Sequence, residues 1–96
     1  MYEIRFMKGA ERYIKKIKGK NLKAAFQTAF LDISADPYKG ELKTGDLAGV
    51  YCYDVYYNRI NYEIAYQIFE EDSKLVVVIM TGTRENFYEE LKRYMK

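Results

Sequence analysis

Ten residues in the second half of the chain, INYEIAYQIF at positions 60–69, alternate between larger apolar side chains and smaller or polar ones. Successive side chains of a β-strand point to opposite faces, so this alternation is typical of a strand with one buried face. A slip of one residue would exchange the two faces, so the pattern predicts both the strand and its register. The apolar face carries Ile60, Tyr62, Ile64, Tyr66 and Ile68, and the other face carries Asn61, Glu63, Ala65 and Gln67.

Two further runs rich in β-branched and aromatic residues flank this strand, at positions 50–57 and 75–81. Polar turns at Asn58-Arg59 and at residues 70–73 join the three runs. We therefore expect an antiparallel meander of three strands, with one face packed on helices and the other face open.

The remaining segments predict one more strand and three helices. Residues 2–7 alternate as a half-buried strand does. In residues 10–17 apolar residues recur at helical spacing opposite a basic face, which predicts a first helix. A second apolar stripe at helical spacing runs from Asn21, the predicted N-cap, to Asp36-Pro37, which ends the second helix. Residues 38–49 show no period and indicate a loop, and a last helix follows from Glu85. The expected α+β order is strand, two helices forming a hairpin, three strands and a helix.

Composition restricts the chemistry that this chain can perform. Its 96 residues suit one domain spanning residues 1–96, and Cys52, the only cysteine, is expected to pack in the core. The absence of histidine removes the usual general base and the commonest metal ligand, so Arg, Lys, Tyr or carboxylates must act instead. No apolar run reaches the ~18 residues of a membrane span, and no secretory signal is evident, so we expect a cytoplasmic protein without membrane contact.

Three stretches of the sequence carry a resemblance to a known family. GELKTGDLAGVY at residues 40–51 is similar to the entry into the second strand of RelE/ParE superfamily toxins, and NRINYEIAYQI at residues 58–68 resembles their central strand. VVVIMTGTRENFYEELKRY at residues 76–94 resembles their last strand, the turn after it and the tail. The resemblance covers nearly the whole chain and implies a RelE/ParE-like fold, a helix hairpin packed on a small twisted antiparallel sheet.

The resemblance also implies the toxin half of a type II toxin-antitoxin pair, with three alternatives for its activity. Ribosome-dependent members cut mRNA without metal or cofactor, and this is our first hypothesis. Gyrase-directed members share the fold, bind DNA gyrase and cut nothing. A third kind has lost toxicity and only binds antitoxin. In each alternative the expected partner is a cognate antitoxin whose apolar, helical segment covers the helix hairpin or the sheet edge.

Matching positions nominate the site residues. Arg84 stands where the family commonly has a phosphate-stabilising arginine, a role that suits a guanidinium, although a solvated turn residue is an equal alternative. Tyr88 matches the tail tyrosine that stacks on a base or assists proton transfer, although packing explains it equally well. Arg59 and Lys43 are candidate RNA phosphate contacts, with ordinary solvated charge as the alternative.

Glu63 departs from the family pattern, because RNA-cutting relatives typically carry Arg at this position of the central strand. Asp54 and Tyr56 likewise stand where those relatives tend to have lysines, so the sheet face loses cations. Two interpretations of Glu63 remain open: a general base tuned by its surroundings, or an ion-pair partner of Arg84 or Arg59. The ion pair is preferred, because it needs no special substrate geometry.

Overall fold

The computed structural model describes residues 1–96 and contains one mixed β-sheet flanked by helices. Its strands are β1 (Glu3–Phe6), β2 (Glu41–Leu42), β3 (Tyr51–Tyr57), β4 (Ile60–Phe69) and β5 (Leu75–Thr83). Its helices are α1 (Lys8–Lys15), α2 (Lys20–Ala35) and α3 (Phe87–Tyr94), and short 3-10 turns lie at Pro37–Lys39 and Gly45–Leu47. Apart from the short β2, the order of elements confirms the predicted one. None of the helices is both long enough and apolar enough to cross a lipid bilayer.

The sheet has the strand order β1-β5-β4-β3-β2. Strands β3, β4 and β5 form the predicted antiparallel meander, but β1 lies parallel to β5, with Glu3 opposite Leu75. A short hairpin turn forces its two strands to be antiparallel, whereas β1 and β5 are joined by most of the chain and are free to align. The sheet is therefore mixed rather than antiparallel throughout.

The first face of the sheet is covered by α1 and α2, as the alternation in β4 predicted. Tyr62, Ile64 and Tyr66 of β4 are buried there together with Phe26 of α2. The rings of Phe26 and Tyr62 meet edge to face with centroids 5.5 Å apart. Burial of each such aromatic side chain stabilises the folded state by on the order of 1.5–3 kcal/mol. This cluster is therefore the main core.

The second face of the sheet was predicted to be open, and that prediction is wrong. Helix α3 and the Gly45–Leu47 turn cover it. A β-bulge in β5 contributes, because Ala65 pairs with Met80 and Tyr66 pairs with Val78, which leaves Ile79 without a partner and packed on this face. The buried members of this second cluster are Leu47, Val50, Cys52, Ala65, Ile79, Phe87 and Leu91.

Two local predictions also need correction. Helix α2 begins one residue before Asn21, with Gly19 as its N-cap and no side-chain cap hydrogen bond. The backbone carbonyl of Gly19 accepts a hydrogen bond from the Lys23 N–H at 3.0 Å, so the first turn closes without the side chain of Asn21. The predicted loop at residues 38–49 contains the short strand β2, whose pairing with β3 brings Lys43 to the sheet.

Gly40 lies where this loop passes closest to the core. The Tyr66 hydroxyl donates a hydrogen bond to the Pro37 carbonyl at 2.6 Å. A Cβ on Gly40 would collide with that hydroxyl and would lie 3.0 Å from the Cys52 carbonyl oxygen. A residue without a side chain is therefore required here, and the contact holds the loop at a fixed distance from β4.

Candidate functional site

Four of the five nominated residues meet at one end of the sheet, where β5 leads into α3. The Arg84 Nε lies 3.7 Å from the Glu63 Oε2, and the Lys43 Nζ lies 4.6 Å from the centre of the Tyr88 ring. Tyr88 is close enough to Glu63 for each to influence the ionisation of the other. The loop, the central strand and the last helix thus each contribute a side chain to one cluster.

Glu63 is the buried member of this cluster. Its side chain is 1% exposed, and neither carboxylate oxygen has a hydrogen-bond partner. It faces the second side of the sheet from β4, with Asp54 opposite on β3 and Gly82 opposite on β5. A buried carboxylate without hydrogen bonds is costly, and such groups often occur at functional sites.

The surroundings of Glu63 change its ionisation. Burial raises the pKa of Glu63 to about 7, and the neighbouring carboxylate of Asp54 acts in the same direction. Arg84 and Tyr88 oppose the rise but do not cancel it. A carboxyl group with a pKa near neutrality can both accept and release a proton at physiological pH.

Arg84 combines a fixed backbone with an exposed side chain. Its N–H donates to the Asn61 carbonyl at 2.9 Å, and its own carbonyl accepts from the Phe87 N–H at 3.1 Å. Its side chain is nevertheless 60% exposed. The predicted pairing of Glu63 with Arg84 is therefore present, and the guanidinium keeps donors available to an external phosphate.

Lys43 and Tyr88 form the opposite wall of the cluster. The Lys43 ammonium lies 2.5 Å from the Glu41 carboxylate, which raises the pKa of Lys43 well above its ordinary value. Burial raises the pKa of Tyr88, and the adjacent Lys43 partly offsets that rise. Near neutral pH the site therefore presents a charged ammonium and a protonated phenol, and both groups can donate hydrogen bonds.

Arg59 does not join this cluster. It lies in the exposed turn between β3 and β4 and makes no ion pair. Glu63 lies four positions further along the chain, a span of roughly 13 Å in an extended strand. The proposed pairing of Glu63 with Arg59 is therefore wrong, and a contact between Arg59 and RNA remains a prediction.

Asp54 is the member of the site that the sequence-based reasoning underestimated. It was noted only as a missing lysine, yet it lies directly opposite Glu63. A two-residue turn at Asn58-Arg59 pairs Tyr57 with Ile60, and counting back along both strands pairs Asp54 with Glu63. The signal was present, but reading it required the turn and the strand alternation to be combined.

Two further basic residues follow α1, on the first face of the sheet. Lys16 and Lys18 border a cavity of about 370 Å³ together with Tyr62 and Thr83, the residue before Arg84. Both lysines are exposed. This cavity lies on the first face of the sheet, opposite to the face that carries Glu63, because Thr83 pairs with Tyr62.

The comparisons with known proteins agree with this architecture. Residues 4–92 match the family described as the ParE-like toxin of type II bacterial toxin-antitoxin systems. No curated protein matches the chain significantly. The family match and the shared fold define a toxin of the RelE/ParE superfamily, as predicted. More particularly, the chain belongs to the ParE-like toxin family.

Three solved structures share the fold. The intact E. coli RelBE toxin-antitoxin complex matches with a TM-score of 0.70 and 20% identity over 85% of this chain and 95% of that chain. The Mycobacterium tuberculosis RelBE2 toxin-antitoxin complex matches with a TM-score of 0.67 and 30% identity over 86% and 98%. A free mutant of E. coli toxin RelE, in which two arginines are replaced by alanine, matches with a TM-score of 0.70 and 21% identity over 96% of each chain.

Proposed function

We propose that this toxin cuts mRNA on the ribosome in the bacterial cytoplasm without metal or cofactor, and that a cognate antitoxin holds it inactive. The observation that carries the proposal is the contact between the exposed Arg84 guanidinium and the buried Glu63 carboxyl, whose pKa is about 7. A cation for phosphate and a proton acceptor that works near neutrality are the two groups that RNA cleavage by an internal hydroxyl requires.

In the proposed reaction the ribose 2′-hydroxyl attacks the adjacent phosphorus. Glu63 accepts the hydroxyl proton while the new O–P bond forms and the bond from phosphorus to the 5′ oxygen breaks, leaving a 2′,3′-cyclic phosphate and a 5′-hydroxyl. Arg84 stabilises the charge on the phosphoryl oxygens. Tyr88 donates a proton to the leaving oxygen, or it stacks on a base and water donates that proton. Lys43 and Arg59 contact neighbouring phosphates.

Access to Glu63 sets a condition on this mechanism. Its carboxyl group is 1% exposed, so a substrate must displace a neighbouring side chain to reach it. Arg84 is the exposed cationic neighbour, and an approaching phosphate offers its guanidinium a second anionic partner. Phosphate binding and the uncovering of Glu63 are therefore one event in this proposal.

A second candidate function is binding to DNA gyrase without catalysis. The acidic pair of Asp54 and Glu63 favours it, because two carboxyls facing one another reduce the attraction of this surface for RNA phosphates. In that case the Glu63–Arg84 contact is a structural ion pair.

An apolar groove supports the proposed antitoxin partner. A cavity of about 470 Å³ is lined by Tyr2, by Ile4 and Phe6 of the edge strand β1, and by Phe30 and Leu31 of α2. Leu31 is 63% exposed, which is unusual for a large apolar side chain unless a partner covers it. The RelBE structures contain a toxin and an antitoxin together, and co-purification with the product of an adjacent reading frame tests this part of the proposal.

The nuclease proposal is tested by induced expression in a bacterial host. Growth of the culture is followed, and mRNA 5′ ends are mapped on translating ribosomes. We expect growth arrest and new in-frame cuts in the wild type, and a loss of cutting of at least about 100-fold in Arg84→Ala, the size typical of a lost transition-state contact. Arg93→Ala, which removes an exposed arginine of α3, is the matched control and should behave as wild type.

The other outcomes separate the alternatives. Growth arrest with DNA damage and intact mRNA would refute the nuclease and favour gyrase binding. Normal growth with a stable antitoxin complex would identify a member that only binds antitoxin.

A further inference from the structure

Asp54 and Glu63 are direct neighbours across β3 and β4 and point to the same face of the sheet. Directly opposed residues of antiparallel strands have Cβ atoms about 5 Å apart, within reach of two carboxyl groups. Glu63 is buried and Asp54 is exposed, so the pair connects the interior of the site with solvent.

The groups around this pair do not neutralise both charges. Arg84, which follows β5, contacts Glu63 at 3.7 Å, and Tyr88 of α3 is an uncharged phenol near neutral pH. The Lys43 ammonium forms an ion pair with the Glu41 carboxylate. Cys52 and Tyr56 of β3 also lie on this face, and neither is a cation. Burial raises the pKa of the Cys52 thiol to about 12, so it adds no charge.

Two facing carboxyls are unfavourable when both are ionised, because one cation contacts only Glu63 and neither oxygen of Glu63 has a hydrogen-bond donor. A single proton held between the two oxygens removes the repulsion and satisfies one of the unpartnered oxygens of Glu63. Carboxyl pairs that share a proton titrate together rather than as independent groups.

We propose that Asp54 and Glu63 form a carboxyl dyad that shares one proton, and that Asp54 is the positioning residue that keeps Glu63 ready to exchange a proton near neutral pH. This inference rests on the proposed nuclease function. In the reaction, the shared proton stays on Asp54 while ionised Glu63 takes the proton of the 2′-hydroxyl. One of the two protons then leaves to water at Asp54, which restores the singly protonated dyad for the next turnover.

The dyad is tested by Asp54→Asn in the full chain, with Glu63 followed by carbon NMR of labelled glutamate carboxyls and assigned by Glu63→Gln. We expect a two-step titration of Glu63 in the wild type. In Asp54→Asn we expect a single step, with the midpoint lowered by about one pH unit, the effect of removing a like charge at this distance. Asp54→Glu should retain the two steps, and Asp72→Asn, an equivalent change in the exposed turn between β4 and β5, should change nothing.

The pH dependence of mRNA cleavage is measured on the same variants. The rising limb of the rate should move to lower pH in Asp54→Asn by the same amount as the Glu63 midpoint. An unchanged Glu63 titration in Asp54→Asn would overturn the dyad whether or not RNA is cut. A shifted Glu63 titration in a chain that cuts no RNA would support the shared proton and refute the nuclease function.

Discussion

Replacing Glu63 with glutamine should make the protein more stable at alkaline pH than the wild type. The folded state raises the pKa of Glu63 from the ordinary 4.5 to about 7, so between these values the folded protein holds a proton that the unfolded chain releases. Stability therefore falls as the pH rises through this window and reaches its full loss above about pH 7. At about 1.4 kcal/mol per pKa unit, the loss is about 3 kcal/mol.

The assay is urea unfolding of wild type and Glu63→Gln between pH 4.5 and pH 8. The difference between the two free energies of unfolding cancels the titration of the groups outside the Asp54–Glu63 pair, which the two variants share. We expect that difference to change by about 3 kcal/mol in favour of the variant as the pH rises. Glu71→Gln, at an exposed position in the turn after β4, is the matched control. A difference that stays constant across the range would show that Glu63 is not held in an unfavourable ionised state, and the reasoning would fail.

Two further changes test other parts of the structure. Gly40→Ala should lower the free energy of unfolding by roughly 1–3 kcal/mol, because the added methyl group displaces the Tyr66 hydroxyl. Gly9→Ala in α1 is the control: its methyl group meets no atom within 4 Å, so the change should be neutral or slightly stabilising. Urea midpoints measure both, and equal midpoints would contradict the close approach. Arg59→Gly should raise stability by about 0.5–1 kcal/mol in thermal unfolding, because Arg59 has a φ of 67° that glycine adopts without strain. A loss of RNA cleavage in that more stable variant would support the predicted RNA contact, and unchanged cleavage would remove Arg59 from the site.

The fold was predictable because each element has a local cause. The alternation in β4 identified the buried face, and Asp36-Pro37 marked the end of α2. The direction of β1 was not predictable in the same way, since its partner β5 is remote in sequence and no turn relates them. The closure of the second sheet face was missed because it depends on the tertiary contact of Phe87 and Leu91 with Ala65, not on local pattern.

The sequence predicted which residues form the candidate site better than it predicted how they are arranged. Arg84 and Tyr88 were nominated by position, and the structure places them beside Glu63. The proximity of Lys43 was not evident, because β2 is only two residues long and its pairing leaves almost no pattern. The burial of Glu63 was equally hidden, since a polar residue on a predicted open face gives no reason to expect removal from water.

The parallel pairing of β1 with β5 has a consequence for synthesis of the protein. Strands β1 and β5 lie near opposite ends of the chain, so bringing them together has a large entropic cost of loop closure. Their pairing therefore belongs to the slow, non-local steps of folding. During translation β1 emerges first but must wait for β5, and Arg84 and Tyr88 emerge later still. A nascent chain therefore remains without its completed site until nearly all of it has been made, which leaves time for other factors to engage the first strand and helices beforehand.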